Sequence, residues 1–338
     1  MNTAILKESE ISKAAKIIRS GGLVAIPTET VYGLAANALD GKAVSKIFVA
    51  KGRPMDNPLI VHIASVDDIE NLVSEFPEKA HLLAKYFWPG PLTMILPKSK
   101  IIPDEVSAGL ETVAVRFPSN KTAQKIIAES GVPLAAPSAN SSGYPSPTEA
   151  SHVKEDLFGK IDAIVDGGKC NVGVESTVIT LASDVPRLLR PGAVTLEQIK
   201  DVIGEVEVDK AICNRLDEGE KVISPGMKYK HYSPLAKVIL VKGSDDAYIK
   251  YVNSLRDKKN VFALCFNEDV KSIKIPCVSY GESGNSEEQA NKLFSCLREL
   301  DKLNAKLVYA RCPKENGVGL AVYNRLIRAA GFEVMIVE

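Results

Sequence analysis

Short apolar runs recur through the first two hundred residues, at 23–26, 59–63, 92–96, 113–117, 163–165 and 177–181. Each is rich in β-branched side chains and bounded by Gly, Pro, Asp or Asn, the pattern of a strand. Helical spacing lies between some of them, at 11–20, 43–50 and 80–87, whereas others follow too closely for a helix to intervene. That mixture predicts an α/β domain over residues 1–205 with a large, twisted mixed sheet, partly antiparallel. The N-terminus reads as polar and then helical, with no apolar signal region behind a basic one.

The character changes between 221 and 237. Ser224-Pro225-Gly226-Met227-Lys228-Tyr229-Lys230-His231-Tyr232-Ser233-Pro234 has no periodicity, three structure breakers and no acidic residue. Residues 206–236 therefore read as a linker. Beyond it, strand patterns at 238–241, 261–266, 306–310 and 334–337 alternate with amphipathic helices at 245–255, 287–303 and 319–330. Regular alternation predicts a small Rossmann-like α/β domain with a parallel sheet over 237–338. Its first turn, Gly243-Ser244-Asp245, lacks Gly-x-Gly-x-x-Gly, which speaks against dinucleotide binding there.

At 338 residues the chain is too long for one ordinary core, so two domains fit the pattern. Apolar content of 45% and charged content of 25% are those of a globular protein in water. No apolar run approaches the roughly 20 residues a bilayer requires, so no membrane association and a cytoplasmic location are expected. Lys and Arg (42) balance Asp and Glu (42), and stable nucleic-acid binding is not expected of a neutral chain. Six cysteines without a Cys-x-x-Cys pair and four scattered histidines predict packing thiols and no protein-held metal.

Several polar groups sit where a core or a plain turn does not need them. Pro27-Thr28-Glu29-Thr30-Val31-Tyr32 follows an apolar strand, where α/β proteins place ligand-contacting loops. It offers hydroxyls at Thr28 and Thr30 and a ring at Tyr32 for stacking; a turn feeding a helix is the plainer reading. Lys51-Gly52-Arg53-Pro54 and Asn57 supply cations and an amide on an irregular turn. Pro137-Ser138-Ala139-Asn140 supplies neutral hydrogen-bonding groups. Together they look like two halves of an anion site, so a phosphate-bearing substrate is expected. Arg116 lies inside an apolar strand and Arg190 at the end of another, and a buried arginine is costly without an anion or paired carboxylate. His62, on composition alone, reads as a core histidine. Ser176-Thr177 precedes a strand. No Gly-x-Ser-x-Gly elbow and no Gly-x-x-x-x-Gly-Lys-Ser/Thr loop occurs.

Taken together, Thr28-Glu29-Thr30-Val31-Tyr32-Gly33-Leu34, Lys51-Gly52-Arg53-Pro54, Trp88-Pro89-Gly90-Pro91-Leu92-Thr93, Pro137-Ser138-Ala139-Asn140 and Arg190-Pro191-Gly192 resemble the motifs of the YrdC-like family in its two-domain form. They stand in family order over nearly the full length, and the linker is similar to the one that marks the long form. The resemblance implies a twisted sheet around a basic cavity, followed by a Rossmann-like domain. It implies formation of threonylcarbamoyl-AMP and pyrophosphate from L-threonine, bicarbonate and ATP with Mg²⁺, the product serving a separate tRNA threonylcarbamoyl transferase.

By the same resemblance Lys51 and Arg53 are the catalytic cations. Arg53, Asn57, Thr112, Ser138, Asn140, Ser146 and Arg190 fall on the nucleotide side. Thr30, His62, Arg116 and Ser176 fall on the threonine side. Selectivity for threonine over serine needs a methyl pocket, and Ala136 is the expected wall, which the resemblance does not itself supply. Tyr229 in the linker is expected to approach the nucleotide as part of a lid. Two other readings compete: an RNA-binding module, against which neutral charge argues, and a hydrogenase-type carbamoyl-handling domain, which would need zinc-finger cysteines and an acylphosphatase-like segment.

Overall fold

The computed structural model describes residues 2–214, 232–255 and 258–338. These divide into two units: residues 2–142 and 146–212 in the first, and Gly143–Pro145, 213–214 and the described residues from 232 onward in the second.

In the first unit one sheet gathers Ala4–Lys7 (β1), Val24–Ile26 (β2), Gly33–Asn37 (β3), Ile60–His62 (β4), Leu92–Pro97 (β5), Thr112–Arg116 (β6), Leu134–Ala135 (β7), Ala163–Asp166 (β8), Thr177–Thr180 (β9), Arg187–Arg190 (β10) and Glu207–Val208 (β11). Their spatial order is β1-β8-β2-β3-β7-β4-β6-β5-β9-β10-β11. β4 runs parallel to β6, whereas β5 is antiparallel to β6 and parallel to β9. The expected mixed sheet is present, and its order brings β4, β5, β6 and β9 together from distant parts of the chain.

One helix, Ile11–Arg19, buries Ile11, Ala14, Ala15 and Ile18, the i, i+3, i+4, i+7 stripe of an amphipathic helix. That stripe packs with Ile126 and Ile127 of helix Lys121–Ser130 over Val24, Ile26 and Val165 of the sheet. Helix Gly41–Lys51 starts where Asp40 accepts from the backbone of Lys42 and Ala43, and ends at Gly52 with φ +62°. This left-handed cap, which a side chain adopts at a cost, stops the helix at Lys51 and turns the chain toward Arg53.

Three elements differ from the sequence reading. A strand, β1, precedes the first helix instead of a polar tail. The Thr28–Leu34 segment feeds strand β3, antiparallel to β2, instead of a helix; its Gly-Leu-Ala-Ala-Asn composition carries no β-branched signal. Tyr32 is fully buried, its hydroxyl donating to Gly168 O at 2.7 Å and accepting from Gly167 N–H at 3.2 Å. It is therefore a tethered core residue and not a stacking surface.

The second unit has the expected parallel sheet: Lys237–Lys242 (β12), Val261–Cys265 (β13), Cys277–Ser279 (β14), Leu307–Arg311 (β15) and Val334–Ile336 (β16), ordered β14-β13-β15-β12-β16. At the end of β15, buried Arg311 pairs with Asp269 at 3.0 Å and with Asp245, between the rings of Tyr248 and Phe266. The charge thus clamps the loops that follow β12 and β13 to the central strand. No described helix is long and apolar enough to cross a membrane.

Candidate functional site

Strand register alone assembles one half of the site. His62 ends β4 and pairs with Arg116 of β6, which pairs with Thr93 of β5. Partners in neighbouring strands project to the same face, so the three side chains form a row. Ile60, Ala114 and Ile95 form the next row on that face. With Val178 and Leu189 they make a buried apolar cluster that floors the polar row.

Arg116 is the hub. Its Nη2 lies 2.7 Å from Oε1 of Glu29, Nη1 donates to Thr30 Oγ1 at 2.9 Å, and Nε donates to the carbonyl of Gly90 at 3.3 Å. The Thr28 hydroxyl donates to Val31 O at 2.6 Å, so its oxygen accepts from the Thr30 hydroxyl at 2.8 Å. The Trp88-Pro89-Gly90-Pro91 motif therefore turns a carbonyl toward Arg116; a Cβ at Gly90 would stand 2.3 Å from Phe87 O. Glu29 also accepts from the Ser119 N–H at 3.1 Å. Burial pushes its carboxyl up, but Arg116 and Ser119 outweigh that and hold it below the ordinary carboxylate range. Buried Arg116 thus has the carboxylate that its position demands, and Glu29, Thr93 and Glu175 are the site residues that sequence reasoning missed. Glu29 and Thr93 stand inside the quoted motifs, but nothing local gives any of the three a role, because their partners are far along the chain.

His62 is buried, with Nδ1 3.2 Å from Ile60 O. Burial first, and the Arg116 charge second, push its pKa down to about 3. The ring is neutral and carries a single N–H, which on Nδ1 would donate to the Ile60 carbonyl.

Ser176, immediately before β9, joins the row through Thr93, their hydroxyl oxygens 2.7 Å apart. Arg190 donates through Nε to Ser176 O at 2.9 Å and through Nη2 to Ser176 Oγ at 3.1 Å. Ser146 donates to Glu175 Oε1. Gly192 lies tightly against this corner: a Cβ there would stand 2.4 Å from Thr177 N and 2.8 Å from Ser176 C. Gly192→Ala is expected to destabilise the protein by about 1–3 kcal/mol through forced backbone displacement, read as a lowered urea midpoint. An unchanged midpoint would show that the corner has room.

The other half forms around the loop after β7. Leu34 N donates to Pro137 O, Ala139 N to Tyr32 O, and Gly33 bridges to Ser138, which ties the loop to the Thr28–Gly33 segment. Lys51, fully enclosed, donates through Nζ to the carbonyls of Ser138 and Asn140, each at 2.5 Å. Burial first and neighbouring Arg53 second pull its pKa well below that of an ordinary lysine, against the charges of Asp156 and Glu175. Lys51 thus clamps the Ser-Ala-Asn loop. Arg53 is half-buried, with Nη2 3.5 Å from Asn57 O and 3.4 Å from Pro58 O. Asn57 is 1% exposed, and neither its Oδ1 nor its Nδ2 has a partner among the described residues. A buried amide without partners costs about 1–3 kcal/mol for each unmet group, so this one is poised for a ligand or water.

Register and hydrogen bonds thus bring Thr30, His62, Arg116, Ser176 and Arg190 into one network, and Lys51, Ser138 and Asn140 into another. The charge of Glu175, Ser146's partner, reaches Lys51 and links the two. Ala136 is buried in the core cluster, its N–H donating to Ile60 O. Thr112 stands apart: it opens β6 opposite Pro97, four residues from Arg116, about 13 Å along the strand. Tyr229 lies outside the described residues. Among those residues no three His, Cys, Asp or Glu side chains converge as a metal site.

Residues 16–192 match the family model described as Telomere recombination (Sua5/YciO/YrdC), and residues 194–331 match the one described as Threonylcarbamoyl-AMP synthase, C-terminal domain. The threonylcarbamoyl-AMP synthase of Pyrococcus abyssi is 49% identical over 337 residues, 98% of this chain and 96% of that protein. That of Bacillus subtilis is 48% identical over 331 residues, 97% of this chain and 95% of the relative. The crystal structure of P. abyssi Sua5 complexed with L-threonine matches with a TM-score of 0.92 at 46% identity, covering 100% of both chains. Escherichia coli YciO matches 57% of this chain and 96% of its own, with a TM-score of 0.51 and 25% identity. Matches across both units, in the order and lengths found here, place the chain in the YrdC-like family in its two-domain form.

Proposed function

We propose that the protein makes threonylcarbamoyl-AMP and pyrophosphate from L-threonine, bicarbonate and ATP, the nucleotidyl transfer for which its full-length relatives are named. Two observations carry this reading: the buried Arg116 network, and the buried Asn57 amide that has no partner among the described residues. One half of the site suits an amino-acid carboxylate, the other a nucleotide. Arg116 has hydrogens on Nη1 and Nη2 beyond those given to Thr30 and Glu29, in the fork geometry that binds a carboxylate. Thr30, His62 and Ser176 surround it with hydroxyls and a neutral ring for the threonine side chain, and Ala136 walls its methyl. Arg53, Asn57, Ser138, Asn140, Ser146 and Arg190 take the nucleotide. Thr112 and Tyr229 belong to that side by family pattern only.

Carbamates decompose in water, so catalysis here means holding threonine and exclude-solvent packing around the carbamate until it meets ATP. The threonine nitrogen adds to bicarbonate carbon with loss of water. A carbamate oxygen then attacks the α-phosphorus, and pyrophosphate leaves from the opposite side. Arg53 and Arg190 stabilise the charge that develops on phosphorus, and Lys51 keeps the Ser138–Asn140 backbone in place beneath it. The donor set of cations, hydroxyls and amides suits phosphates better than a protein-held dication; Mg²⁺ would enter on the nucleotide and neutralise its phosphates. The product is a labile mixed anhydride, which a separate tRNA threonylcarbamoyl transferase consumes in the cytoplasm; stable tRNA binding by this chain is not part of the reading.

Pyrophosphate release, followed with each substrate omitted in turn, tests it. Release should require both L-threonine and bicarbonate, and Arg53→Ala should lower it by at least about 100-fold. Hydrolysis of ATP that ignores threonine would overturn the assignment.

A further inference from the structure

The Arg116–Glu29 pair contains an imbalance that the roles given above do not explain. Glu29 Oε1 is doubly engaged, by Arg116 and by the Ser119 N–H. Oε2 is just as deeply buried, yet it accepts from no group among the described residues. The carboxyl is held on the ionised side by its neighbours. An ionised oxygen kept from water without a donor is costly, more so than a neutral one. If Glu29 served only to neutralise Arg116, Oε1 alone would suffice.

A free α-amino acid carries an ammonium and a carboxylate on one carbon. An arginine and a glutamate in contact present the complementary charges side by side. Resting on the threonine-site reading above, we propose that Glu29 is the residue that recognises the α-amino group of the substrate, through Oε2, while Arg116 takes the carboxylate. The ion pair is then a two-sided receptor for a zwitterion. Thr30, next to Glu29 in sequence, accepts from Arg116 Nη1 at 2.9 Å and so helps to fix the position of the guanidinium. In this role Glu29 holds the substrate nitrogen in place, and it discriminates against hydroxy acids and other carboxylates that lack the amine.

The test is a binding comparison by calorimetry, with ATP analogue present, of L-threonine and 3-hydroxybutyrate, which is threonine without its amino group. Wild-type protein should prefer L-threonine by roughly 10- to 100-fold, as expected for one charge-assisted hydrogen bond. Glu29→Gln should lose most of that preference by weakening L-threonine while leaving 3-hydroxybutyrate within about 3-fold. Glu29→Asp, which keeps a carboxylate near Arg116 but shortens its reach toward the amino group by one methylene, should do the same and covers the case in which the glutamine variant does not fold. Two results overturn the inference: wild-type protein that binds both ligands equally, or variants that weaken both ligands alike, which would make Glu29 only a support for Arg116. Wild-type protein that binds neither ligand would instead remove the threonine-site reading, and this inference with it.

Discussion

Arg116→Ala is expected to lower the free energy of unfolding by about 3–5 kcal/mol, the cost of leaving one member of a buried ion pair without the other. The reason is local and specific. Glu29 keeps its place in the interior, 7% exposed, and loses the charge that holds it ionised. Thr30 Oγ1 and Gly90 O lose their donor in the same step. On the proposed role of Arg116 as partner of the threonine carboxylate, threonine-dependent kcat/KM should fall by at least about 100-fold, because a bidentate carboxylate contact contains two charge-assisted hydrogen bonds. Arg116→Lys should recover part of the stability but little of the threonine dependence, since an ammonium is a point charge and not a planar fork. The double variant Arg116→Ala/Glu29→Ala should be more stable than Arg116→Ala alone, because the uncompensated carboxylate is gone. Urea unfolding of the four proteins measures this directly. A single Arg116→Ala variant within about 1 kcal/mol of wild type would mean that the pair is solvated and the account of the site is wrong.

Acid should destabilise the protein well before its carboxylates titrate, and His62 is the cause. Its folded pKa is pushed down to about 3 from an ordinary 6.5, by burial and then by Arg116. Between those values the unfolded chain takes up a proton that the folded chain refuses, so stability is full above 6.5 and is lost as the pH falls. At pH 5 the loss amounts to about 2 kcal/mol, at about 1.36 kcal/mol for each unit below 6.5. Glu29, lowered from 4.5, acts with the same sign but only in a lower window, because above about pH 5 it is ionised in both states. Unfolding of wild type and His62→Gln at pH 7.5 and pH 5.0 separates His62 from groups common to both, Lys51 included. Wild type should lose about 2 kcal/mol more than the variant over that interval. Parallel losses would show that the ring is protonated in the folded state at pH 5.0.

The division between local and distant information is visible at particular residues. Helix Ile11–Arg19 and strands β5, β6 and β9 follow from periodicity, since burial of a repeating apolar face needs only neighbours in sequence. β3 was not legible, because Gly-Leu-Ala-Ala-Asn lacks β-branched residues and becomes a strand only between β2 and β7. Tyr32 looked available for stacking and proved to be core, because the 167–168 backbone that captures its hydroxyl lies far along the chain. The chemistry was legible where it was repeated in short motifs: the cations at Lys51 and Arg53, the Ser138–Asn140 loop and the embedded Arg116.

What those motifs do was decided elsewhere. Lys51 reads in sequence as a charge for an anion, but its Nζ is held by two loop carbonyls. Gly90 reads as a turn, but its carbonyl completes the shell around Arg116. The amino-acid sequence by itself determined the α/β alternation, the restart of the pattern after the linker, and the supply of arginines, hydroxyls and amides suited to carboxylate and phosphate. Only the tertiary structure decided that Glu29 answers Arg116, that His62 is neutral beside it, and that Asn57 is buried without partners among the described residues. Composition and spacing encode what a segment buries on its own. The partner of a buried charge is set by strand order and register, which bring together residues that no local pattern connects.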